Sequence, residues 1–343
     1  MADNDFPLYI HGYGAVSAAG TDAAALWQAC KSGEEIPVQS LERELGGETI
    51  SYAHRPVDAA ALKAAMPKHG RLRRASNVTK FAVTAAHEAM GAERIAKMQA
   101  RELNVGIVLT FLNGCVNYSN RFFAEVLEDP TFASPILFPE TVFNAPASHI
   151  AAYLGCDGPV YTLLGDPAAW FSAFDVAEGW ISSGQVDGVL ILCAEEIDWL
   201  TLEGLGMYSK GIVATEGAAA VYVEATPSKV AVTELNGPYS YFDSAGREDA
   251  LADAWSALGD AEILVDGLTG VGRLDRDELV TTGGWSGERI SPAKLLGEGM
   301  GIRCGFQTVA ALGALEEGRG SVDIFASGGN QHAFSVKLTK QDL

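Results

Sequence analysis

A nucleophile set at a strand-to-helix elbow is one way for a protein to do acyl chemistry. Residues 158–170, Gly-Pro-Val-Tyr-Thr-Leu-Leu-Gly-Asp-Pro-Ala-Ala-Trp, have that outline. The apolar run Val160 to Leu164 ends at Gly165-Asp166-Pro167, and a helix-compatible stretch follows from Ala168 to Ile181. A helix N-terminus offers unpaired N–H groups and a dipole that favour negative charge, which is why thiolates and alkoxides are placed there. This elbow offers Asp166, Pro167 and Ala168, none of them a thiol or a hydroxyl. The outline is enzymatic and the expected reactive atom is missing.

No other motif supplies it. Gly12-Tyr13-Gly14 lacks the third glycine of a dinucleotide loop and reads as a glycine turn after a strand. No serine stands in a Gly-x-Ser-x-Gly elbow, and no zinc spacing occurs, so neither a cofactor nor a metal is expected. The five cysteines are scattered without a CxxC pair, the pattern of reduced thiols in a cytosolic protein. Cys115, in Gly114-Cys115-Val116, reads as a buried loop cysteine, and His149 and His332 as structural, hydrogen-bonded side chains. The run Glu195-Glu196-Ile197-Asp198 reads as a solvated or salt-bridged strand end.

Composition narrows the partners. A formal charge of −20 argues against binding nucleic acid or anionic lipid through the general surface. No apolar run reaches the length of a membrane span. One stretch runs against the acidic balance: residues 59–87 hold no Asp or Glu but contain Lys63, Lys68, Arg71, Arg73, Arg74 and Lys80. It is either a salt-bridged surface or a docking patch for an acidic partner.

The elements that must position these residues follow from periodicity. Apolar strands are expected at 7–17, 105–110, 160–164, 186–192, 218–223, 230–234, 262–265, 322–326 and 333–338. Helices are expected after the Thr21-Asp22 cap and at 59–67, 76–91, 118–127, 147–154, 168–181, 248–258 and 307–315, with 33–58 irregular. Fully apolar strands alternating with helices imply an α/β protein whose sheets are covered on both faces. The order strand, helix, strand recurs on both sides of residue 226. The expected units are therefore 1–225, with an insertion at about 31–100, and 226–343.

Six segments in the same order resemble the β-ketoacyl synthases, condensing enzymes of thiolase fold. They are Gly12-Tyr13-Gly14-Ala15-Val16-Ser17 with Trp27 and Gly33; Asn144 to Ile150 with Gly155 and Gly158-Pro159; Ser183 to Asp187 with Ala194-Glu195; Glu216-Gly217-Ala218-Ala219; Lys294 to Gly301; and Gly328-Gly329-Asn330. The resemblance implies a layered αβαβα fold with two similar halves and mixed five-stranded sheets, and a dimer built around the strand at 160–164. It also implies a pocket near Asp166, Lys294, Gly329 and Asn330, and a carrier-docking side near Lys68, Arg71, Arg73 and Arg74.

The family's reaction needs one cysteine and two histidines, and this chain departs at all three. Counting from either side puts the cysteine position at Pro167 or Ala168, and no cysteine occurs from 157 to 192. The histidine positions correspond to Asp266, in Asp266-Gly267-Leu268-Thr269-Gly270, and to Glu298. No histidine lies between His149 and His332. The family's Pro-Phe-Asp gate segment is also missing between Met207 and Glu216. Loss of one member of such a set costs roughly 10⁴ to 10⁶ in rate. The expectation is a silent ketosynthase-like subunit of the chain-length-factor type, paired with an active β-ketoacyl synthase or with itself and served by an acyl carrier protein. Fatty-acid, polyketide or aryl-polyene-type synthesis is the implied setting. Two alternatives stay open: a decarboxylase or hydrolase of acyl thioesters using Asp166, Asp266 and Glu298, as a metal site or a raised-pKa acid, and a homodimeric acyl-binding scaffold. The carboxylates are otherwise explained by pairing with Lys294 and Arg303, or by Asp166 capping its helix.

Overall fold

The computed structural model describes residues 7–259, 261–329 and 331–342. Among them, ten strands form one hydrogen-bonded sheet in two five-stranded halves. The first half is β1 (Leu8–Val16), β4 (Val105–Phe111), β5 (Val160–Leu164), β6 (Gly188–Glu195) and β8 (Gly217–Glu224), in the order β5-β4-β6-β8-β1. The second is β9 (Val230–Ser240), β10 (Ile263–Val265), β11 (Glu288–Ile290), β12 (Ser321–Ser327) and β13 (His332–Lys340), in the order β11-β10-β12-β13-β9. Counted along the chain, each half runs third, second, fourth, fifth, first, with the inner crossover strands parallel and the last pairings antiparallel. The halves join through the pairing of Leu8–Ile10 with Val230–Val232.

Side-chain alternation along the strands builds the layers. On β6, Val189, Ile191 and Cys193 pack into the central layer with α6 (Ala169–Ser182) and α11 (Arg303–Glu316), and α1 (Ala23–Ser32) joins them. Leu190, Leu192 and Ala194 of the same strand face outward, onto α3 (Asn77–Gln99) and α5 (Ala145–Leu154). On β12, Val322, Ile324 and Ala326 face inward, while Phe325 packs on α8 (Ser244–Ser256). The result is helix, sheet, helix, sheet, helix. Trp170 and Phe174 of α6 are fully buried, and burial of such side chains is worth about 1.5–3 kcal/mol each. The Trp170 Nε1–H donates to Thr308 Oγ1 of α11 at 2.9 Å, tying the two central helices together.

Three expectations are corrected. The glycines at 12 and 14 lie inside β1 rather than in a turn: a Cβ there would stand 2.0 Å from the Ala89 carbonyl and 2.4 Å from that of Ala85, so they let α3 pack close. Residues 33–58 are not irregular throughout. β2 (Gln39–Leu45) and β3 (Glu48–Arg55) form a hairpin, and the end of β3 pairs in parallel with β7 (Ala214–Thr215). The hairpin half-buries only Leu41, Tyr52 and a few neighbours, so its apolar signal is weak. Helix α3 runs past Gly91, whose φ of 67° breaks the helical path without ending it. Five further helices complete the chain: α2 (Ala59–Ala65), α4 (Val116–Glu128), α7 (Trp199–Tyr208), α9 (Gly272–Thr281) and α10 (Pro292–Leu296).

Candidate functional site

β5 ends at Leu164, and Asp166-Pro167-Ala168 turn the chain into α6. Asp166 is 3 % exposed. Its Oδ1 accepts the N–H of Ala168 at 3.2 Å, and its Oδ2 accepts the N–H groups of Gln331 at 2.9 Å and His332 at 3.4 Å. Asp166 therefore closes a turn just before α6, whose N-cap is Ala168 with no side-chain capping bond, rather than capping the helix as expected, and it ties the elbow to the loop before β13. The loop comes so close that a Cβ on Gly328 would lie 2.0 Å from Asp166 Oδ2, which only glycine avoids.

Beside the elbow lies a cavity of about 260 Å³. Asp166, Pro167, Glu298 and Gly329 line it, as expected of them, together with Arg303, Glu278 and Ser327. Leu112, Leu205, Tyr208 and Met300 add apolar lining, and Arg247, Arg273 and Asp275 add charge. The other expected residues fall elsewhere. Ala168 is buried in the central core, and Asp266 is fully buried without lining the cavity. Lys294 is exposed and lines a neighbouring cleft with Glu35 and Arg55, a cleft that Glu298 also borders. It points away because α10 turns its basic face outward while Ala293, Leu295 and Leu296 fill the core. Asn330 lies outside the described residues.

Glu298 and Asp266, the carboxylates expected at the family's two histidine positions, each have a partner. Arg303 Nη1 donates to Glu298 Oε2 at 3.1 Å, and the Met300 N–H donates to Glu298 Oε1 at 2.7 Å. Arg289 Nη1 donates to Asp266 Oδ2 at 2.9 Å, with Leu268 N–H on Oδ1 at 3.1 Å. Burial lifts the Asp266 carboxyl, against the pull of Ser291, Leu268 and Arg289. Among the described residues no three His, Cys, Asp or Glu side chains cluster in a way that could hold a metal ion. Glu278 and Arg289 carry no sequence signal that marks them for this site. Glu278 sits on the polar helix α9, accepts the Gly267 N–H at 2.8 Å and the Ser327 hydroxyl, and is lifted by burial to about 7.

The acidic run is not solvated. Glu195 and Glu196 are fully buried. Glu196 accepts the N–H groups of Val78 at 3.1 Å and Asn117 at 3.0 Å, so one carboxylate caps the first turns of both α3 and α4. Glu195 accepts N–H groups of Leu112 and Asn113, and burial pushes it up to about 8. Asp198 caps α7 through Leu200 N–H at 2.9 Å. Unpaired N–H groups at buried loop starts draw these acids inward, which no local pattern reveals. Cys115 is buried, and burial raises its thiol to about 12, far from a reactive thiolate. His149 Nε2 meets the Glu140 carboxylate at 2.9 Å.

Residues 5–227 match the family described as Beta-ketoacyl synthase, N-terminal domain. The chain belongs to the β-ketoacyl synthase family. No curated protein matches it. Solved structures similar to it include the ishigamide ketosynthase/chain length factor, at TM-score 0.78 and 17 % identity over 98 % of this chain and 100 % of that one. A ketosynthase (ApeO) in complex with its chain length factor (ApeC) from Xenorhabdus doucetiae aligns at TM-score 0.79 and 15 % identity, over 99 % of this chain and 100 % of that one. A third, described as a type II PKS acyl-carrier protein in complex with its ketosynthase bound to the hexaketide (AntDE:AntF), aligns at TM-score 0.78 and 17 % identity over 98 % and 99 %. These likenesses show the thiolase-like fold of the β-ketoacyl synthases.

Two exposed surfaces of this β-ketoacyl synthase family chain bear on what it could meet. Strand β5 is the edge of its half of the sheet, and Tyr161 and Leu164 on it are 55 % and 53 % exposed. An apolar open edge invites pairing with another chain. Leu112, Ile136, Phe138 and Phe143 are also exposed. The second surface is basic. Lys68, Arg71, Arg73 and Arg74 are all exposed, and no ion pair holds them among the described residues. The three arginines border a groove with Tyr118 and Arg121, and Tyr118 Oη donates to the Arg74 carbonyl at 2.9 Å.

Proposed function

We propose that this chain is a catalytically silent β-ketoacyl-synthase-like subunit of the chain-length-factor type, which pairs with an active ketosynthase and is served by an acyl carrier protein. The observation that carries this reading is the set of residues where the family's thiol and imidazoles are expected: Pro167 and Glu298 line the cavity, Glu298 ion-paired to Arg303, while Asp266 is buried outside it and paired to Arg289. Proline offers no nucleophile, and a carboxylate held by an arginine is a weaker base and nucleophile than the thiolate and imidazoles of the family. Two further features support it. The apolar β5 edge fits a dimer built across that strand, and the unpaired arginines at 71, 73 and 74 fit an acidic carrier, which the rest of an acidic surface would repel. Residues 1–225 and 226–343 are proposed as its two structural units, and the reading suits polyketide, fatty-acid or aryl-polyene-type synthesis.

The test is co-expression with a candidate ketosynthase, native mass measurement of the product, and intact-mass measurement after exposure to an acyl thioester. A one-to-one complex in which only the partner is acylated is expected. Acylation of this chain at any residue would overturn the silent assignment. A second reading, an acyl-thioester decarboxylase or hydrolase, draws on Glu278, a cavity-lining acid that burial holds near neutrality. Thioester turnover that is lost in Glu278→Gln would favour it.

A further inference from the structure

Arg55 is 3 % exposed and lies at the end of β3, where it pairs with Thr215 of β7. A guanidinium so far from bulk water ordinarily has its charge and its N–H groups matched by the protein. This one is matched only in part. Its Nε donates to the Ile36 carbonyl at 2.6 Å, and its Nη2 donates to Glu35 at 2.8 Å. Nη1 has no acceptor among the described residues, yet it is not sealed in the core. The counter-charge is weak as well, because the Glu35 side chain is 59 % exposed and an acid so open to water offsets little of a buried charge.

Arg55 lines a cleft of about 190 Å³, far more than the ~10–15 Å³ that one water needs. Lys294, on α10, lines the same cleft and has no ion pair among the described residues. Its stem runs beside Gly270, where a Cβ would stand 3.5 Å from Lys294 Cγ. The remaining acid on the wall, Glu298, is already held by Arg303. Two cations from separate elements, one buried with a free donor and one unpaired, thus share a small space in a chain of net charge −20. The cleft shares only Ile212 and Glu298 with the cavity beside the elbow.

We propose that this cleft binds a small oxyanion of the phosphate class, held between Nη1 of Arg55 and the ammonium group of Lys294. A guanidinium supplies directed donors and an ammonium a compact charge, and together they suit a tetrahedral dianion. The proposal goes beyond the silent-subunit reading and does not rest on it, since no acylation, carrier or partner chain enters.

The test uses the full chain and inorganic phosphate, titrated at constant ionic strength with chloride as the balancing salt and followed by phosphorus NMR line broadening. The parent for the series carries Arg71→Glu, Arg73→Glu and Arg74→Glu, which takes the exposed basic groove out of the signal. Saturable broadening is expected. Lys294→Met weakens binding by roughly tenfold or more, as loss of one charge-assisted hydrogen bond would. Glu35→Gln removes the carboxylate that competes for Arg55 and tightens binding severalfold. Broadening that is absent, that does not saturate, or that is unchanged in Lys294→Met overturns the proposal, as does a Glu35→Gln variant that binds no tighter than the parent. Lys294 and Glu35 are exposed, so both variants are expected to melt within about 1 °C of the parent, and a change in binding then reports the site. None of these readouts depends on acylation, so failure here is distinct from failure of the silent assignment.

Discussion

Glu298 stands where the family's second histidine is expected, and removing it tests how much its buried pair with Arg303 stabilises the chain. Arg303 is 9 % exposed and Glu298 8 %, with Nη1 and Oε2 3.1 Å apart. Burial disfavours the guanidinium charge, and the neighbouring Glu298 leads the groups that favour it, so that its pKa ends up raised. Truncating one member of such a buried pair leaves an uncompensated charge and costs about 3–5 kcal/mol. Glu298→Ala also strips the Met300 N–H of its acceptor, for a further ~1 kcal/mol. Unfolding entropy of about 2.1 cal/mol/K per residue over 343 residues makes each kcal/mol worth about 1.4 °C in the melting midpoint. The loss expected in Glu298→Ala is therefore about 6–8 °C. The double variant Glu298→Gln with Arg303→Met keeps an acceptor for Met300 and removes the lone charge, so it is expected to melt above the single variant. Grafting the family's residue back, Glu298→His, costs stability as Glu298→Ala does and gives no condensing activity. The assay is thermal unfolding followed by near-ultraviolet circular dichroism. A single variant within about 1 °C of wild type, or a double variant worse than the single, would refute the reasoning.

Stability is expected to fall as pH rises through neutrality. Burial lifts Glu195 to about 8 and Glu216 and Glu278 to about 7, from an ordinary 4.5, so each binds its proton more tightly when folded. The stability they add is complete below pH 4.5 and is lost as pH climbs past 7 to 8. Glu195→Gln cannot ionise and flattens the upper part of that fall in a series of melting curves; an unchanged slope would exclude Glu195 as a titrating group. Reversing Arg71, Arg73 and Arg74 to Glu is expected to weaken carrier binding at least tenfold at low salt and to flatten its salt dependence, leaving the melting midpoint in place. Carrier affinity that is unchanged across the salt series rules out this groove. Tyr161→Asp with Leu164→Lys, on the open β5 edge, is expected to shift native mass from dimer to monomer, and a dimer that persists moves the interface elsewhere.

The sequence alone carried the layered architecture and the absence of the expected thiol and imidazoles. Fully apolar strands such as Val105–Phe111 and Gly188–Glu195 can be buried only when covered on both faces, so their alternation with helices dictates layers. The absence of any cysteine from 157 to 192 and any histidine between His149 and His332 is a property of the chain that no folding can alter. The hairpin at 39–55 escaped because most of its residues are exposed and the two it buries, His54 and Arg55, are polar, and α7 and α9 because neither shows a clean apolar face. What only the tertiary structure decided is which charges meet. Asp266 finds Arg289 across 23 positions and Ser327 finds Glu278 across 49. Asp166 reaches the N–H groups of Gln331 and His332 across 165 and 166. Lys294, sequence neighbour of Glu298, turns outward, while Arg303 turns in to pair with it. The acids at 195 and 196 go inside for the same reason: buried N–H groups at the ends of distant elements demand acceptors, and their positions exist only once the sheets have closed.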